Sequence, residues 1–262
     1  IGYFYLGSGA APALESCPYY ACEFDGFESG FTDIMTDYQG NYWISSSKRG
    51  VLLLRSSEFT DELARTGLDT DVINAVLEED GILYAATDSG IAAIDMSDRR
   101  NISNSFTDSF SGRRITDIIS YNGSKHVAVY GQGVYSESGE LIVDAAKISR
   151  LQVVDDKLYV LTDEGCIVYD GKNVAAVYDK TTGMYNTEAA SVLYGSFGRQ
   201  TQEKLYISSR GAGIFVFADG KLEANIDENY GLPSKNVNDM AAYNDGFFMA
   251  TDNGMAFYNG KK

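Results

Sequence analysis

Cysteine, proline and histidine are scarce in this chain, which has three cysteines, three prolines and one histidine among 262 residues. A single histidine and the absence of a C-x-x-C pair leave almost no ligands for a structural zinc site. The sequence also lacks a G-x-S-x-G elbow and a G-x-x-x-x-G-K phosphate loop. We therefore predict no metal site, no cofactor and no catalytic residue.

Long apolar runs and helical periods are missing as well. No apolar stretch approaches the about 20 residues that a membrane-spanning helix needs. No 3.6-residue period is sustained for three turns, so an α-helical domain is disfavoured. Ile1 leads directly into the strand-like sequence Gly2–Leu6, which suggests a piece of a longer protein. Any targeting segment or membrane anchor is expected outside this chain.

The few cysteines and the histidine suggest structural uses. Cys17 and Cys22 could close a small disulfide loop if the chain turns at Pro18, whereas on a straight strand they would lie roughly 16 Å apart and could not bond. Both alternatives remain open. Cys166 follows a turn glycine and is expected to be a small buried side chain. His126 occupies or adjoins a position that other repeats give to an aromatic residue, so we predict a packing role.

Positive charge is in short supply: 21 Lys and Arg face 37 Asp and Glu, for a net charge of −16 and a pI of about 4.4. An acidic surface gains neither counterion release from nucleic acid nor attraction to anionic lipid. We predict a soluble acidic surface with no nucleic-acid partner, and membrane contact only through segments outside this chain.

What the chain does contain is a repeat. A short polar turn ending in glycine is followed by a new apolar run six times, at spacings of 32 to 48 residues with a mean of about 41. This spacing falls in the range of propeller blades. The six turn glycines are Gly50, Gly90, Gly133, Gly165, Gly213 and Gly254.

Each repeat fits a four-stranded antiparallel sheet. In the last repeat, Val237–Tyr243 predicts a first strand, Asn244–Gly246 a tight turn and Phe247–Thr251 a second strand. Thr251–Gly254 predicts a further turn, and Met255–Tyr258 predicts a third strand. Such a sheet is not stable alone, so several must stack around an axis and close. The composition, with 27 glycines and 19 tyrosines, agrees with an all-β chain rich in turns.

We therefore predict an all-β fold, a β-propeller of four-stranded antiparallel blades, with six blades favoured and seven open. The whole chain, residues 1–262, is expected to form one domain, and no linker or low-complexity tract divides it. Residues 1–30 are predicted to supply closing strands. The repeats are placed near residues 31–70, 71–113, 114–147, 148–189, 190–236 and 237–262.

The repeat resembles a known family. The segments Phe31–Ser45 and Val237–Met255 are similar to the two-component regulator propeller motif, which runs as an aliphatic strand, Asp-x-x-Gly-Asn, an aromatic residue, Thr and a turn glycine. Gly231–Ser234 resembles the Gly-Leu-Pro-Ser linker of that family. The resemblance covers residues 20–258 and is weaker in the third to fifth repeats, where Gly198–Glu203 is an insertion.

This resemblance implies a non-catalytic, extracytoplasmic sensor region of a membrane-anchored signalling protein, followed by a kinase, cyclase or similar output domain. Its partner would be a small-molecule or carbohydrate ligand. It leaves open a homodimer formed through the full-length protein. Two other classes stay in play: a propeller enzyme of the lactonase or sugar-lyase kind, and a protein-interaction platform. Metal content and turnover of lactones or oligosaccharides would separate an enzyme from a sensor.

Chain direction predicts where a ligand binds. In a four-stranded blade, the turn between the second and third strands lies at the same end as the linker into the next first strand. Polar residues of these turns and linkers should converge around one mouth of the axis. The alternative is that they are solvated turn tips. The predicted ligand, a sugar or a small anion, would meet Lys48, Arg49, Asp88, Arg113, Gln132, Arg150, Asp163, Glu164, Arg210 and Asp252.

Five aromatic residues share one strand position of the repeat. Burial between blades is the simplest use of such a position. We therefore predict packing, and no ligand contact, for Trp43, Tyr84, Tyr159, Tyr206 and Phe248.

Overall fold

The structure is a computed structural model that describes residues 2–4, 19–21, 30–54, 72–186 and 188–260. The chain groups into two compact units, Ile1–Thr60 and Asp61–Lys262, and each is described by itself. Cys17 and Cys22 lie outside the described residues. The prediction of a single domain, residues 1–262, with closing strands in residues 1–30, stays a prediction.

The first unit contains two antiparallel arrangements. Strand β1 (Gly2–Phe4) pairs with β2 (Tyr19–Ala21). A three-stranded sheet, which we call blade 1, follows in the chain. Its strands, in spatial order, are β3 (Phe31–Thr36), β4 (Tyr42–Ser46) and β5 (Gly50–Leu54).

The turn between β3 and β4 explains the spacing of the motif residues Asp37, Asn41 and Trp43. Asp37 Oδ1 accepts hydrogen bonds from the backbone N–H groups of Gln39 and Asn41, at 2.9 and 3.0 Å. Asp37 Oδ2 accepts from the indole Nε1–H of Trp43 at 2.9 Å. Hydrogen bonds from the Asn41 side chain first, and then from Trp43, lower the pKa of Asp37 to about 2. The motif is therefore one locally bonded turn.

The second unit contains five antiparallel sheets, blades 2 to 6, each built in chain order from consecutive strands. Blade 2 contains β6 (Ile73–Glu79), β7 (Ile82–Thr87), β8 (Gly90–Asp95) and β9 (Asn101–Ile102). Blade 3 contains β10 (Ile115–Tyr121), β11 (Ser124–Val129), β12 (Gly133–Ser136) and β13 (Leu141–Val143). Blade 4 contains β14 (Ile148–Val154), β15 (Lys157–Thr162), β16 (Cys166–Tyr169) and β17 (Val174–Tyr178).

Blade 5 contains β18 (Ala189–Gly195), β19 (Lys204–Ser209), β20 (Gly213–Ala218) and β21 (Lys221–Ile226). Blade 6 contains β22 (Val237–Tyr243), β23 (Gly246–Thr251) and β24 (Gly254–Tyr258). The helical segments of the described residues are short: α1 (Ser105–Ser109) and the 3₁₀ helices Lys180–Thr182 and Glu228–Tyr230.

These six sheets confirm the predicted class, an all-β fold of antiparallel propeller blades. In the second unit, the first strands of consecutive blades lie side by side, in the order β6, β10, β14, β18 and β22. Blades 2 to 5 have the predicted four strands, whereas the described residues give three strands each to blades 1 and 6.

Tight hairpins join the first and second strands of most blades. Asp80-Gly81 and Asn122-Gly123 are two-residue loops, because Glu79 pairs with Ile82 in one sheet and Tyr121 with Ser124 in the other. All four loop residues have positive φ, between 52° and 77°. This is the geometry that suits the right-handed twist of the flanking strands and favours Asn, Asp and Gly.

One repeat glycine shows why the turn between the second and third strands needs this residue. Gly165 has a φ of +141°, and a Cβ placed on it would overlap the carbonyl oxygen of Tyr178. Tyr178 ends the fourth strand of the same blade. Glycine therefore lets the outer strand approach the turn closely.

A bulge occurs near the start of every first strand, where the pairing register shifts by one residue. Such a bulge redirects side chains that would otherwise alternate regularly between the two faces of the sheet. In the second unit, polar side chains at the bulges bond to the neighbouring blade. The bonds are Asn74 Nδ2 to Ile115 O (2.7 Å), Leu151 N to Asp117 Oδ2 (2.6 Å), Ser149 Oγ to Ala189 O (3.2 Å) and Met240 N to Ser191 Oγ (3.3 Å).

The core of the second unit lies between its blades. Four clusters of buried apolar side chains each join two consecutive blades, from blades 2 and 3 to blades 5 and 6. Both faces of an inner sheet are therefore covered, which explains strands that are apolar on both sides. His126 is buried and donates a hydrogen bond from Nδ1–H to Ser124 O at 3.0 Å, and burial lowers its pKa. This agrees with the predicted packing role.

Three of the five aromatic predictions are confirmed. Tyr84, Tyr159 and Tyr206 are buried in the clusters between blades. Trp43 is 38% exposed and lies in the first unit, so its packing between blades stays a prediction. Phe248 is half-buried, and its neighbour Phe247 is the fully buried aromatic residue of blade 6.

A lysine clamp joins blades 2 and 3. Lys125 Nζ lies 3.1 Å from Glu79 Oε2 and 2.7 Å from Glu137 Oε1, and its side chain is 11% exposed. The ammonium group also lies over the rings of Tyr84 and Phe106, 5.2 and 5.6 Å from their centroids. Hydrogen bonds from Ser120 and then Lys125 lower the pKa of Glu79. Burial would raise the pKa of Glu137, but hydrogen bonds from Lys125 outweigh it and lower that pKa.

We predict that Tyr206→Ala destabilises the chain far more than Tyr243→Ala. Tyr206 is fully buried against Phe197 and Phe247, so its removal should cost about 3–5 kcal/mol. Tyr243 is 56% exposed, and its removal should cost about 0.5 kcal/mol or less. Urea unfolding followed by circular dichroism measures both. Equal losses would contradict the assigned burial.

We predict that the lysine clamp stabilises the chain at neutral pH and loses its effect in acid. The lowered pKa values of Glu79 and Glu137 mean that their stabilisation is present above their unfolded pKa, near 4.5, and disappears as pH falls through the folded values. Lys125→Met keeps the apolar stem and removes the charge. The urea midpoint of the variant should fall below that of the parent chain at pH 6 and approach it at pH 3. A difference of the same size at both pH values would refute the clamp.

Candidate functional site

One end of the blades gathers the turns between second and third strands together with the linkers that lead into first strands. Backbone hydrogen bonds join the turn of one blade to the linker of the next. Gly112 N donates to Ser89 O, Gly131 N to Ala146 O and Gly213 N to Lys235 O, at 2.7, 2.7 and 2.8 Å. In the second unit, we give the name rim to these turns, to the last three linker residues before each first strand and to the first three residues of that strand, which contain the bulge.

The rim contains most of the predicted site residues. Of these, the turns between second and third strands carry Asp88, Gln132, Asp163, Glu164, Arg210 and Asp252, and the linker into β10 carries Arg113. Lys48 and Arg49 lie in the corresponding turn of blade 1, in the first unit, so their place at the mouth stays a prediction.

The placement of Arg150 differs from the prediction. It was expected in a linker, but it lies inside β14, where it pairs with Leu161 directly after the bulge. The bulge turns the side chain of Arg150 toward the inner edge of the blades. Arg150 Nη1 lies 2.9 Å from Asp239 Oδ1 on β22. Because β18 lies between β14 and β22, this ion pair spans the inner edge of blade 5.

The pair formed by Arg150 and Asp239 is accessible to solvent, with side chains 40% and 51% exposed. Asp239 also accepts a hydrogen bond from its own neighbour, Met240 N, at 2.9 Å. Burial would raise the pKa of Asp239, but the bonds from Arg150 and Ser191 lower it. The carboxylate is therefore charged at neutral pH and fixed in position.

Three cations of the rim have carboxylate partners at short distance. Arg114 Nε lies 3.0 Å from Asp88 Oδ1, Lys147 Nζ 2.8 Å from Asp163 Oδ2 and Arg210 Nη1 3.4 Å from Glu188 Oε1. The guanidinium of Arg113 lies over the rings of Phe110 and Tyr135, at 5.6 and 5.3 Å. The rim consequently presents paired charges at these three places.

Amide groups complete the rim at blades 2 and 6. Asp252 accepts from Asn238 Nδ2 at 2.7 Å and from Asn236 Nδ2 at 2.8 Å. The hydrogen bond from Asn238 has the larger effect and that from Asn236 the smaller, and both lower the pKa of Asp252. Asn74 Nδ2 donates to Asp88 Oδ1 at 2.9 Å. Asp252 is thus held by side chains of its own blade, whereas Asp88 is held by Asn74 of its own blade and by Arg114 of the linker into the next.

Beside blade 4, the rim borders a cleft of about 180 Å³. Lys147 and Asp163 stand at its edge, and Asp144, Glu164 and Asp179 contribute further carboxylates. Exposed polar groups around a concave space can exchange hydrogen bonds with a small ligand.

The sequence argument missed several residues that the structure brings to this end. It considered turn tips and two linker residues, whereas these partners lie directly before a first strand or at its bulge. Their signal in the sequence is a polar residue at the first, second or third position of an otherwise apolar first strand, or directly before it. These residues are Asn74, Arg114, Asp117, Lys147, Glu188, Asn236, Asn238 and Asp239.

The described residues contain no group of three or more His, Cys, Asp or Glu that could hold a metal ion. Cys166 is fully buried, and burial raises the pKa of its thiol well above the ordinary value. Burial also raises the pKa of Asp117, but both of its oxygens accept backbone N–H bonds, from Leu151 and Ile118. Asp117 therefore has a structural use between blades 3 and 4.

No family model matches the chain, and no curated protein matches it. The helices of the described residues are too short to span a membrane. Solved structures do share its fold. The extracellular domain of BT3049 from B. thetaiotaomicron, described as a hybrid two-component system, has a TM-score of 0.66 at 14% identity, over 93% of this chain and 35% of that chain.

Two further solved structures are similar to the chain. The computationally designed protein Ika8 has a TM-score of 0.50 at 13% identity, over 89% of this chain and 69% of its own. The dihydro-heme d1 dehydrogenase NirN has a TM-score of 0.52 at 12% identity, over 87% of this chain and 52% of its own. At these identities the likeness shows the fold. This chain spans about a third of the BT3049 domain.

Proposed function

We propose that this chain is a non-catalytic sensor propeller that binds a small, uncharged, hydroxyl-rich ligand, such as a carbohydrate, at the rim. The observation that carries the proposal is the pairing of charges across the inner edge of the blades, above all between Arg150 and Asp239. Paired groups keep exposed lone pairs and N–H groups that can bond to hydroxyls. A ligand with both donors and acceptors can use both halves of each pair.

The same pairing disfavours a small anion, the other ligand considered from the sequence. An anion would have to compete with a carboxylate already 2.8 Å from Lys147 and with another 2.9 Å from Arg150. The net charge of −16 also repels anions at long range. A neutral ligand does not have to displace a carboxylate and is not repelled by the net charge.

A sensory role is supported by the fold shared with the extracellular domain of BT3049, a protein described as a hybrid two-component system. We infer that this chain is likewise an extracytoplasmic part of a membrane-anchored signalling protein, whose output domain lies elsewhere. Ligand binding at a propeller mouth would then be transmitted to that output domain.

We predict that Arg150→Ala weakens binding of neutral oligosaccharides at least tenfold. Maltotriose, cellotriose and xylotriose serve as probes, with citrate as the anionic comparison, and isothermal titration calorimetry measures affinity. The matched control is Lys157→Ala, which removes another half-exposed ion pair, Lys157 with Asp155 at 3.4 Å, outside the rim. The control should bind like the parent chain.

Salt provides a second measurement on the same ligand. Affinity for a neutral sugar should be nearly unchanged between 50 and 500 mM NaCl, whereas affinity for an anion should fall as charges are screened. Three results would reject the proposal: no saturable binding of any oligosaccharide, binding of citrate alone, or equal affinity in Arg150→Ala and the parent chain.

A further inference from the structure

A second cavity lies between blades 5 and 6, bordered by β20, β21, β24 and the linker that contains Tyr230. Its volume is about 220 Å³, and its polar lining comes from Gln200, Lys204, Glu223, Tyr230 and Tyr258. Aliphatic side chains of β20 and β21 form the rest of its wall. At about 30 Å³ per water molecule, the space corresponds to roughly seven waters, which is the scale of a single sugar ring.

The cavity is built by the part of the sequence that departs from the repeat. In blade 5, eight residues connect β18 to β19, where blades 2, 3, 4 and 6 use two-residue turns. Phe197 anchors this connection, because it is buried against Tyr206 and Phe247 with ring centroids 5.3 and 5.0 Å apart.

Close backbone approach fixes the rest of the connection. Gly198 has a φ of +70°, and its N–H donates to Asp245 O on the neighbouring blade. A Cβ at Gly198 would overlap the carbonyl oxygen of Asn259. Only glycine lets the connection lie against the end of blade 6 in this way. Gln200, two residues later, is thereby held at the cavity.

Gln200 orders the phenol groups around the cavity. Its Oε1 accepts from the buried Tyr206 hydroxyl at 2.7 Å, and its Nε2 donates to the Tyr258 hydroxyl at 3.2 Å. Tyr258 accepts this bond, so its own proton can be donated to another group. Burial raises the pKa of Tyr258, which keeps that proton in place at neutral pH.

A charge pair supplies the opposite wall. Lys204 Nζ lies 2.7 Å from Glu223, and the lysine side chain is 13% exposed while the glutamate side chain is 48% exposed. The pair carries no net charge. The exposed side of the Glu223 carboxylate can accept two further hydrogen bonds, a suitable partner for adjacent hydroxyl groups.

Tyr230 adds an aromatic surface to this cavity. The residue is 52% exposed and follows β21 in a short 3₁₀ helix. Aromatic faces bind the C–H side of a ring through apolar contact, while polar groups at the edge bind its hydroxyls. A phenol donor, a neutralised carboxylate and an exposed aromatic ring thus border one small space.

We propose that this cavity, which we call the edge pocket, binds a single neutral sugar ring independently of the rim. Glu223 and Tyr258 accept and donate hydrogen bonds to its hydroxyls, and Tyr230 packs against its C–H face. The lining of the edge pocket includes none of the paired charges of the rim, such as Arg150 and Asp239, so variants can separate the two sites.

Saturation-transfer NMR and titrations with glucose, galactose, mannose and N-acetylglucosamine test the edge pocket on the purified chain. At least one of these sugars should bind, and Tyr230→Ala and Glu223→Gln should each weaken it at least tenfold. The control Tyr243→Ala removes a tyrosine of similar exposure, 56%, outside the pocket. It should bind like the parent chain, and so should the rim variant Arg150→Ala.

Two results would overturn the edge pocket. One is the absence of saturable binding by any of the four sugars. The other is binding that survives in Tyr230→Ala and Glu223→Gln but is lost in Arg150→Ala, which would assign the sugar to the rim and leave the proposed function standing. Melting temperatures of all variants show that a loss of binding does not reflect unfolding.

Discussion

The structure of the second unit depends on the hydrogen bond that crosses from one bulged first strand to the next. A stack of sheets held only by apolar side chains could slide, because apolar contact is not directional. A bond such as that from Leu151 N to Asp117 Oδ2, at 2.6 Å, fixes one blade at one height and angle against its neighbour. The backbone donor would otherwise be buried without a partner, so sliding is costly.

The same bulges create the candidate site. A regular strand alternates its side chains between two sheet faces, and both faces of an inner blade are covered by neighbours. The shift in register at the bulge releases a side chain from this alternation. Arg150 and Asp239 sit directly after their bulges and meet at 2.9 Å. The same bulge thus attaches one blade to the next and exposes polar side chains.

The rim and the edge pocket differ in origin. Rim residues stand on turns, linkers and bulges that recur from blade to blade, so different side chains are presented on the same backbone pattern. The edge pocket instead needs the eight-residue connection in blade 5, held by Phe197 and Gly198. Regular repeats supply a rigid frame, and one irregular connection supplies a separate concave surface. Sites carried on loops of a rigid frame are common in proteins.

The sequence by itself determined the sheets and their turns, since glycine turns and Asp-Gly or Asn-Gly hairpins act through neighbouring residues. It also identified the buried position of Tyr84, Tyr159 and Tyr206, because each faces another blade. Tertiary structure alone decided that Phe247 and not Phe248 fills the core of blade 6, and that Arg150 meets Asp239 across 89 residues. Such pairing depends on the stacking of blades, which no local pattern encodes.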